Sequence, residues 1–133
     1  MLRSTDWNFL IGGQVHSVTI SLDHAQLSLF RYMLIDIYSA FNHERGGRIL
    51  SDATDLPTRA TTLVSLLRKA VKSVSIEEKA MVLRFERAED DYDDDNDTDE
   101  IDEEETLTLF VSDAQAKSFV VTTRDPNRTF VVG

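Results

Sequence analysis

Apolar and polar positions alternate along much of the chain, in short runs. Residues 7–11 put Trp7, Phe9 and Ile11 on one side, and residues 14–22 do the same for Val18, Ile20 and Leu22. Alternation of this kind predicts half-buried strands. Gly12-Gly13 separates the two runs and suits a two-residue turn, because both residues accept positive φ. The pattern therefore predicts an N-terminal β-hairpin, with His16 at the rim of its second strand.

After Asp23 the period changes. Leu27, Phe30, Leu34, Ile37 and Phe41 recur at helical spacing, and Leu29, Tyr32, Met33, Ile35 and Tyr38 widen that stripe until it nearly encircles the segment. Asp23 with Gln26 reads as a capping box and Gly46-Gly47 as a stop, which predicts a helix over residues 23–43. A helix apolar on most sides is buried on more than one. It is expected to be the central helix; pairing of its second face with another copy is the alternative, and keeps a homodimer open. A second helix is expected from Pro57, capped by Asp55 or Thr58, with Ala60, Leu63, Val64, Leu67, Val71 and Val74 as its apolar stripe. Its other face would carry Arg59, Arg68, Lys69 and Lys72, a basic patch too thin, without interleaved aromatics, for a nucleic-acid surface.

Alternation returns at residues 80–87, after a short helical end from Ile76, and again at 106–111, 117–123 and 129–132. Asp125-Pro126-Asn127 gives a type I turn signal between the last two. The expected order is ββααββββ. That is a two-layer α+β fold: an antiparallel β-sheet with two helices packed on one face. A length of 133 residues with no internal repeat predicts one domain, residues 1–133.

One stretch departs from every periodicity. Residues 89–105, EDDYDDDNDTDEIDEEE, hold thirteen acidic side chains in seventeen positions and no basic one. Like charges at this density favour an extended chain, and unpaired carboxylates cost several kcal/mol each to bury. The tract is therefore expected to be a flexible, solvated insertion between two strands, the loop of a long hairpin. It also accounts for the formal charge of −10: the rest of the chain has fourteen basic and eleven acidic side chains, a balance of +3. Extended, the tract spans roughly 55–60 Å, with carboxylates spaced about as closely as the phosphates of one nucleic-acid strand, at ~3.4 Å. Such a segment competes for basic grooves that hold nucleic acid.

A calcium loop is a weaker reading of the same residues. With Asp94 at position one of the EF-hand pattern, Asn96, Thr98, Asp102 and Glu105 fall at ligand positions three, five, nine and twelve. Asp99 occupies the position that needs glycine, and the flanks alternate like strands where an EF-hand needs helices.

Catalytic signatures are missing. No HExxH, GxSxG, phosphate loop or dinucleotide fingerprint occurs. His24 and His43 would be separated by nearly 30 Å of helix, and carboxylates in a mobile tract lack the apolar walls that tune an acid or base. The chain has no cysteine, no apolar leader and no run approaching eighteen apolar residues, which predicts a cytoplasmic protein without a membrane span. No cofactor and no metal is implied.

These readings converge on a non-catalytic acidic protein that masks a basic, nucleic-acid-binding site on a partner protein. Immunity proteins against nuclease toxins and inhibitors of defence systems share this charge profile, as an analogy of charge alone. The expected contact residues are Asp90, Asp91, Asp93, Asp94, Asp95, Asp97, Asp99, Glu100 and Asp102, with Tyr92 and Ile101 as apolar anchors. The partner would be a basic nucleic-acid-binding enzyme or complex, with no direct contact to nucleic acid. The alternatives are an oligomeric assembly protein whose tract keeps it soluble, and a divalent-cation (calcium) module.

Overall fold

Among the described residues ten antiparallel strands are found, in place of the six strands and two helices expected. The computed structural model describes residues 5–30, 32–87, 104–112, 117–124 and 127–132. Its strands are β1 (Gln14–Ile20), β2 (Ala25–Phe30), β3 (Met33–Ile37), β4 (Phe41–Arg45), β5 (Arg48–Ile49), β6 (Lys69–Glu77), β7 (Ala80–Arg87), β8 (Glu105–Phe110), β9 (Phe119–Arg124) and β10 (Asn127–Val132). A short helix, α1 (Leu56–Ala60), runs into a 3-10 turn, Thr61–Leu66. The two-layer α+β expectation is thus overturned in favour of a mostly antiparallel β fold.

The largest correction falls on residues 23–43. They form β2, β3 and the start of β4, not a central helix. Beneath the apparent helical stripe the segment also carries period two. Ala25, Leu27 and Leu29 face the core while Gln26 and Ser28 face away, and Ile35 and Ile37 are buried beside half-exposed Leu34 and Asp36. Strand pairing on both edges of β2, to β1 and to β3, decides between the two periods.

The second predicted helix begins as expected. Asp55 caps it by accepting from the Thr58 backbone amide at 3.1 Å, and Pro57 sits in its first turn. It ends at Leu66, however, and Lys69 onward is strand β6. The expected helical face of Arg59, Arg68, Lys69 and Lys72 therefore does not exist. The expected first strand at residues 7–11 is a 3-10 helix, Trp7–Leu10, capped by Asp6. Gly12, at φ 92°, donates its amide to the Val71 carbonyl of β6 and does not turn a hairpin. The helical end expected from Ile76 is instead the last part of β6, closed by a tight turn into β7 through the pair Glu77 and Ala80. The expected strands at 80–87, 106–111, 117–123 and 129–132 are present as β7 to β10. Of the turn signal between the last two, Asp125 and Pro126 lie outside the described residues.

The strand order is β10-β9-β3-β2-β1-β6-β7-β8-β4-β5. A single registered pair, Gln14 with Ala70, ties β1 to β6. The strands on either side of that junction contribute to one core. Leu27, Leu29, Ile35 and Val121 from one half share a single buried cluster with Leu83, Phe85, Leu107 and Phe41 from the other, and Leu63 and Leu66 of the 3-10 turn belong to it too. The chain crosses between halves at residues 38–40. There the Ser118 carbonyl accepts from the Tyr38 and Ser39 amides, and the buried Ser39 hydroxyl donates to the Phe110 carbonyl at 2.8 Å.

Tyr32, in the turn from β2 to β3, has φ 63°. A bulky side chain in this left-handed region is strained by roughly 1–2 kcal/mol, a strain that glycine avoids. Tyr32→Gly is therefore expected to stabilise the fold by about 1 kcal/mol, read from the midpoint of urea unfolding at unchanged slope.

Candidate functional site

The acidic tract leaves the sheet at the end of β7 and re-enters it at the start of β8. These strands pair in register down to Phe85 and Glu105, so both roots lie at one end of a single hairpin, as expected. Asp90, Asp91, Tyr92, Asp93, Asp94, Asp95, Asp97, Asp99, Glu100, Ile101 and Asp102 all lie outside the described residues. Its last two residues, Glu104 and Glu105, are described.

Glu105 corrects the expectation that the whole tract is solvated, because its side chain is fully buried. Strand alternation aims it inward with Leu107 and Leu109, and three elements converge on it. From β4, His43 meets Oε1 through Nε2 at 2.6 Å, and Arg45 lies 3.6 Å from Oε2. From the 3-10 turn, the Ser65 hydroxyl donates to Oε1 at 2.6 Å. From β6, the Lys69 ammonium stands 2.8 Å from Oε2. A carboxylate only accepts, so His43 carries a proton on Nε2; its Nδ1 lies 2.8 Å from the Thr62 hydroxyl. Thr62 and Ser65 share a side of the turn because a 3-10 turn repeats every three residues.

Burial by itself pushes the Glu105 carboxyl up. The hydrogen bonds from His43, Lys69 and Ser65, with the Lys69 charge, outweigh that effect and hold it at about 2. Glu104 continues the pattern at the surface, where Lys72 reaches both it and Glu86 at 3.5 Å. Two of the four cations expected on a helix face thus meet the C-terminal root of the tract from a strand.

The same geometry removes the EF-hand register. Glu105, its twelfth position, is turned inward onto His43, Ser65 and Lys69, and the flanks are strands. Among the described residues, no group of three or more histidine, aspartate or glutamate side chains is arranged to hold a metal. The three histidines take separate roles. His16 sits exposed at a bulge in β1, the rim position expected. His24 lies 3.0 Å from Asp23 and stacks on Tyr38. His43 is buried on strand β4 against Glu105, so the helical separation expected between it and His24 does not apply. Sequence reasoning missed the Glu105 cluster because a tract so acidic reads as uniformly wet. The signal was the alternation Glu105, Leu107, Leu109, which carries the buried face one step back into it.

Fold and site together define a small, mostly antiparallel β protein with an acidic hairpin connection rooted on a buried carboxylate. No protein-family model matches the chain, and no curated protein or solved structure matches it either. No described helix is long and apolar enough to cross a membrane.

Proposed function

We propose that this is a non-catalytic, cytoplasmic inhibitor that masks a basic, nucleic-acid-binding surface of a partner protein with its acidic tract. One observation carries the reading. Twelve carboxylates in the sixteen positions 89–104 are concentrated in a single hairpin connection, on a body whose own balance, with Glu105 counted in it, is +2. Negative charge gathered in one segment steers a basic partner to that segment. The anchoring of Glu105 supports the reading further, since it fixes one root of the segment to the sheet. The contact residues are those expected from the sequence, Asp90 to Asp102 with Tyr92 and Ile101 as anchors.

The assembly-protein alternative rested on the second apolar face of a helix at residues 23–43. With that helix replaced by strands, its main support is gone. The calcium alternative likewise loses its twelfth ligand.

The test is affinity capture from the source cell at low and high salt, with residues 89–104 intact or replaced by an uncharged Ser/Asn/Gln loop. Glu105 is kept in both versions so that the fold is not the variable. Retention of one basic nucleic-acid-binding protein by the intact chain only, lost at high salt, is the expected result. Retention of the same partner by both versions would overturn the proposal.

A further inference from the structure

Beside the turn that joins β2 to β3, the sheet carries a groove lined by residues of β1, β2, β3 and β9. Register aligns the side chains in rows. Ser17, Ser28, Leu34, Thr122 and Thr129 lie side by side across β1, β2, β3, β9 and β10, and Thr19, Gln26, Asp36, Val120 and Val131 form the next row. Short hydroxyl-bearing side chains keep the first row low. Larger residues stand at its end: Phe30 and Tyr32 from the turn after β2, His16 from the β1 bulge, and Arg124 from the end of β9. With Ser28, Leu34 and Thr122 of that row and Leu29, Met33 and Thr123 of the alternate one, they line an open groove of about 790 Å³.

Three features of this groove are not explained by packing in the core. Phe30 and Tyr32 are 58 % and 65 % exposed, so neither ring serves the core. Tyr32 holds its ring there from a left-handed backbone conformation, a strain of the kind found where a side chain is needed in a fixed place. Arg124 lies over the Tyr32 ring, 5.9 Å from guanidinium carbon to ring centroid, and no carboxylate among the described residues pairs with it. Asp36, in the neighbouring row, already accepts from the Gln26 side chain at 2.9 Å. His16 meets the edge of Phe30 at 5.9 Å and places a further polar ring at the mouth. Its position follows from the bulge, which leaves one residue of β1 unpaired and re-aims its side chain.

We propose that this groove binds a small, flat aromatic anion. The ring of the ligand lies against Phe30 and Tyr32, with Leu34 beneath. Its anionic group is held by Arg124, whose planar fork of donors matches a carboxylate, sulfonate or phosphate. An apolar groove with a few convergent polar groups is the usual form of a small-molecule site. This proposal goes beyond the masking function and does not depend on it.

The probe is anilinonaphthalene sulfonate, an aromatic anion with a flat naphthalene ring, titrated by fluorescence beside N-phenyl-1-naphthylamine, which has the same rings and no charge. The native protein is expected to bind the sulfonate at one saturable site, with amide shifts in the NMR spectrum at Ser28, Leu34 and Thr122. Arg124→Gln should weaken the sulfonate about tenfold and leave the uncharged probe unchanged, the loss expected for one charge-assisted contact. Tyr32→Gly, which relieves backbone strain and so keeps the fold, should weaken both probes. Equal binding of the sulfonate to native protein and both variants would overturn the proposal, as would an Arg124→Gln loss shared by the uncharged probe. Displacement of the sulfonate by a ten-residue oligothymidylate at lower concentration than the probe itself would also overturn it, by assigning the groove to a nucleic-acid strand.

Discussion

Glu105→Gln should lower the stability of this protein by about 3–5 kcal/mol at neutral pH, the loss typical when one partner of a buried ion pair is removed. The amide keeps the shape of the carboxylate but not its charge. It leaves Lys69 facing a neutral group in a site only 17 % exposed, and it presents an N–H₂ where His43 or Ser65 now donates. Urea unfolding at pH 7 measures the difference directly. The pH dependence gives a second readout. The Glu105 carboxyl titrates at about 2 in the folded protein against an ordinary value of 4.5. A group whose pKa is depressed by folding contributes stability that is complete above its unfolded value and is lost as pH falls toward its folded value. The contribution is about 3 kcal/mol, and it should disappear between about pH 4.5 and pH 2. The stability difference between native protein and Glu105→Gln should therefore shrink across that window. A difference that stays constant from pH 6 to pH 3 would show that the carboxylate is not held by these contacts.

The second large effect concerns rate. With the captured partner in hand, replacing the acidic residues of 89–104 by uncharged ones should slow association by an order of magnitude or more at low salt. Dissociation should change less, because steering acts on the encounter and the contacts of the docked state act on escape. Raising ionic strength from 0.05 to 0.5 M shortens the Debye length from roughly 14 Å to roughly 4 Å. The native chain should then slow steeply while the neutralised chain barely responds, so the two rates converge at high salt. Stopped-flow mixing separates the two constants. An association rate equal for both chains at low salt would remove steering from the mechanism.

These two predictions draw on the same seventeen residues in opposite ways. In the proposed function the twelve carboxylates of residues 89–104 act at a distance. The thirteenth, Glu105, is taken into the core and acts through contacts at 2.6 to 3.6 Å. The division falls where strand β8 begins, since pairing with Phe85 of β7 and Arg45 of β4 obliges Glu105 to face inward.

Much of this was present in the residue pattern. Alternation at 80–87, 106–111, 117–123 and 129–132 specified four strands, because a half-buried strand must repeat every two residues whatever it pairs with. Asp55 and Pro57 specified a helix start through local hydrogen bonding and a fixed φ. The acidic run specified its own position between strands, since a packed element accepts a carboxylate only where cations and donors meet it. What the pattern left open was settled by partners distant in sequence. Residues 23–43 satisfy a helical stripe and a two-residue alternation together, and the edges offered by β1 and β9 select strands. The apolar stripe after Leu66 was divided by the demand of β7 for a neighbour. The site at Glu105 depends on His43, Ser65 and Lys69, which come from three separate elements, and the groove at Arg124 depends on residues aligned across four strands. Sequence determined the local periods and the placement of charge, because those follow from each residue and its near neighbours. Tertiary structure decided which period prevailed and which carboxylate was buried, because each depends on a hydrogen-bonding edge or a cation that only the folded sheet brings near.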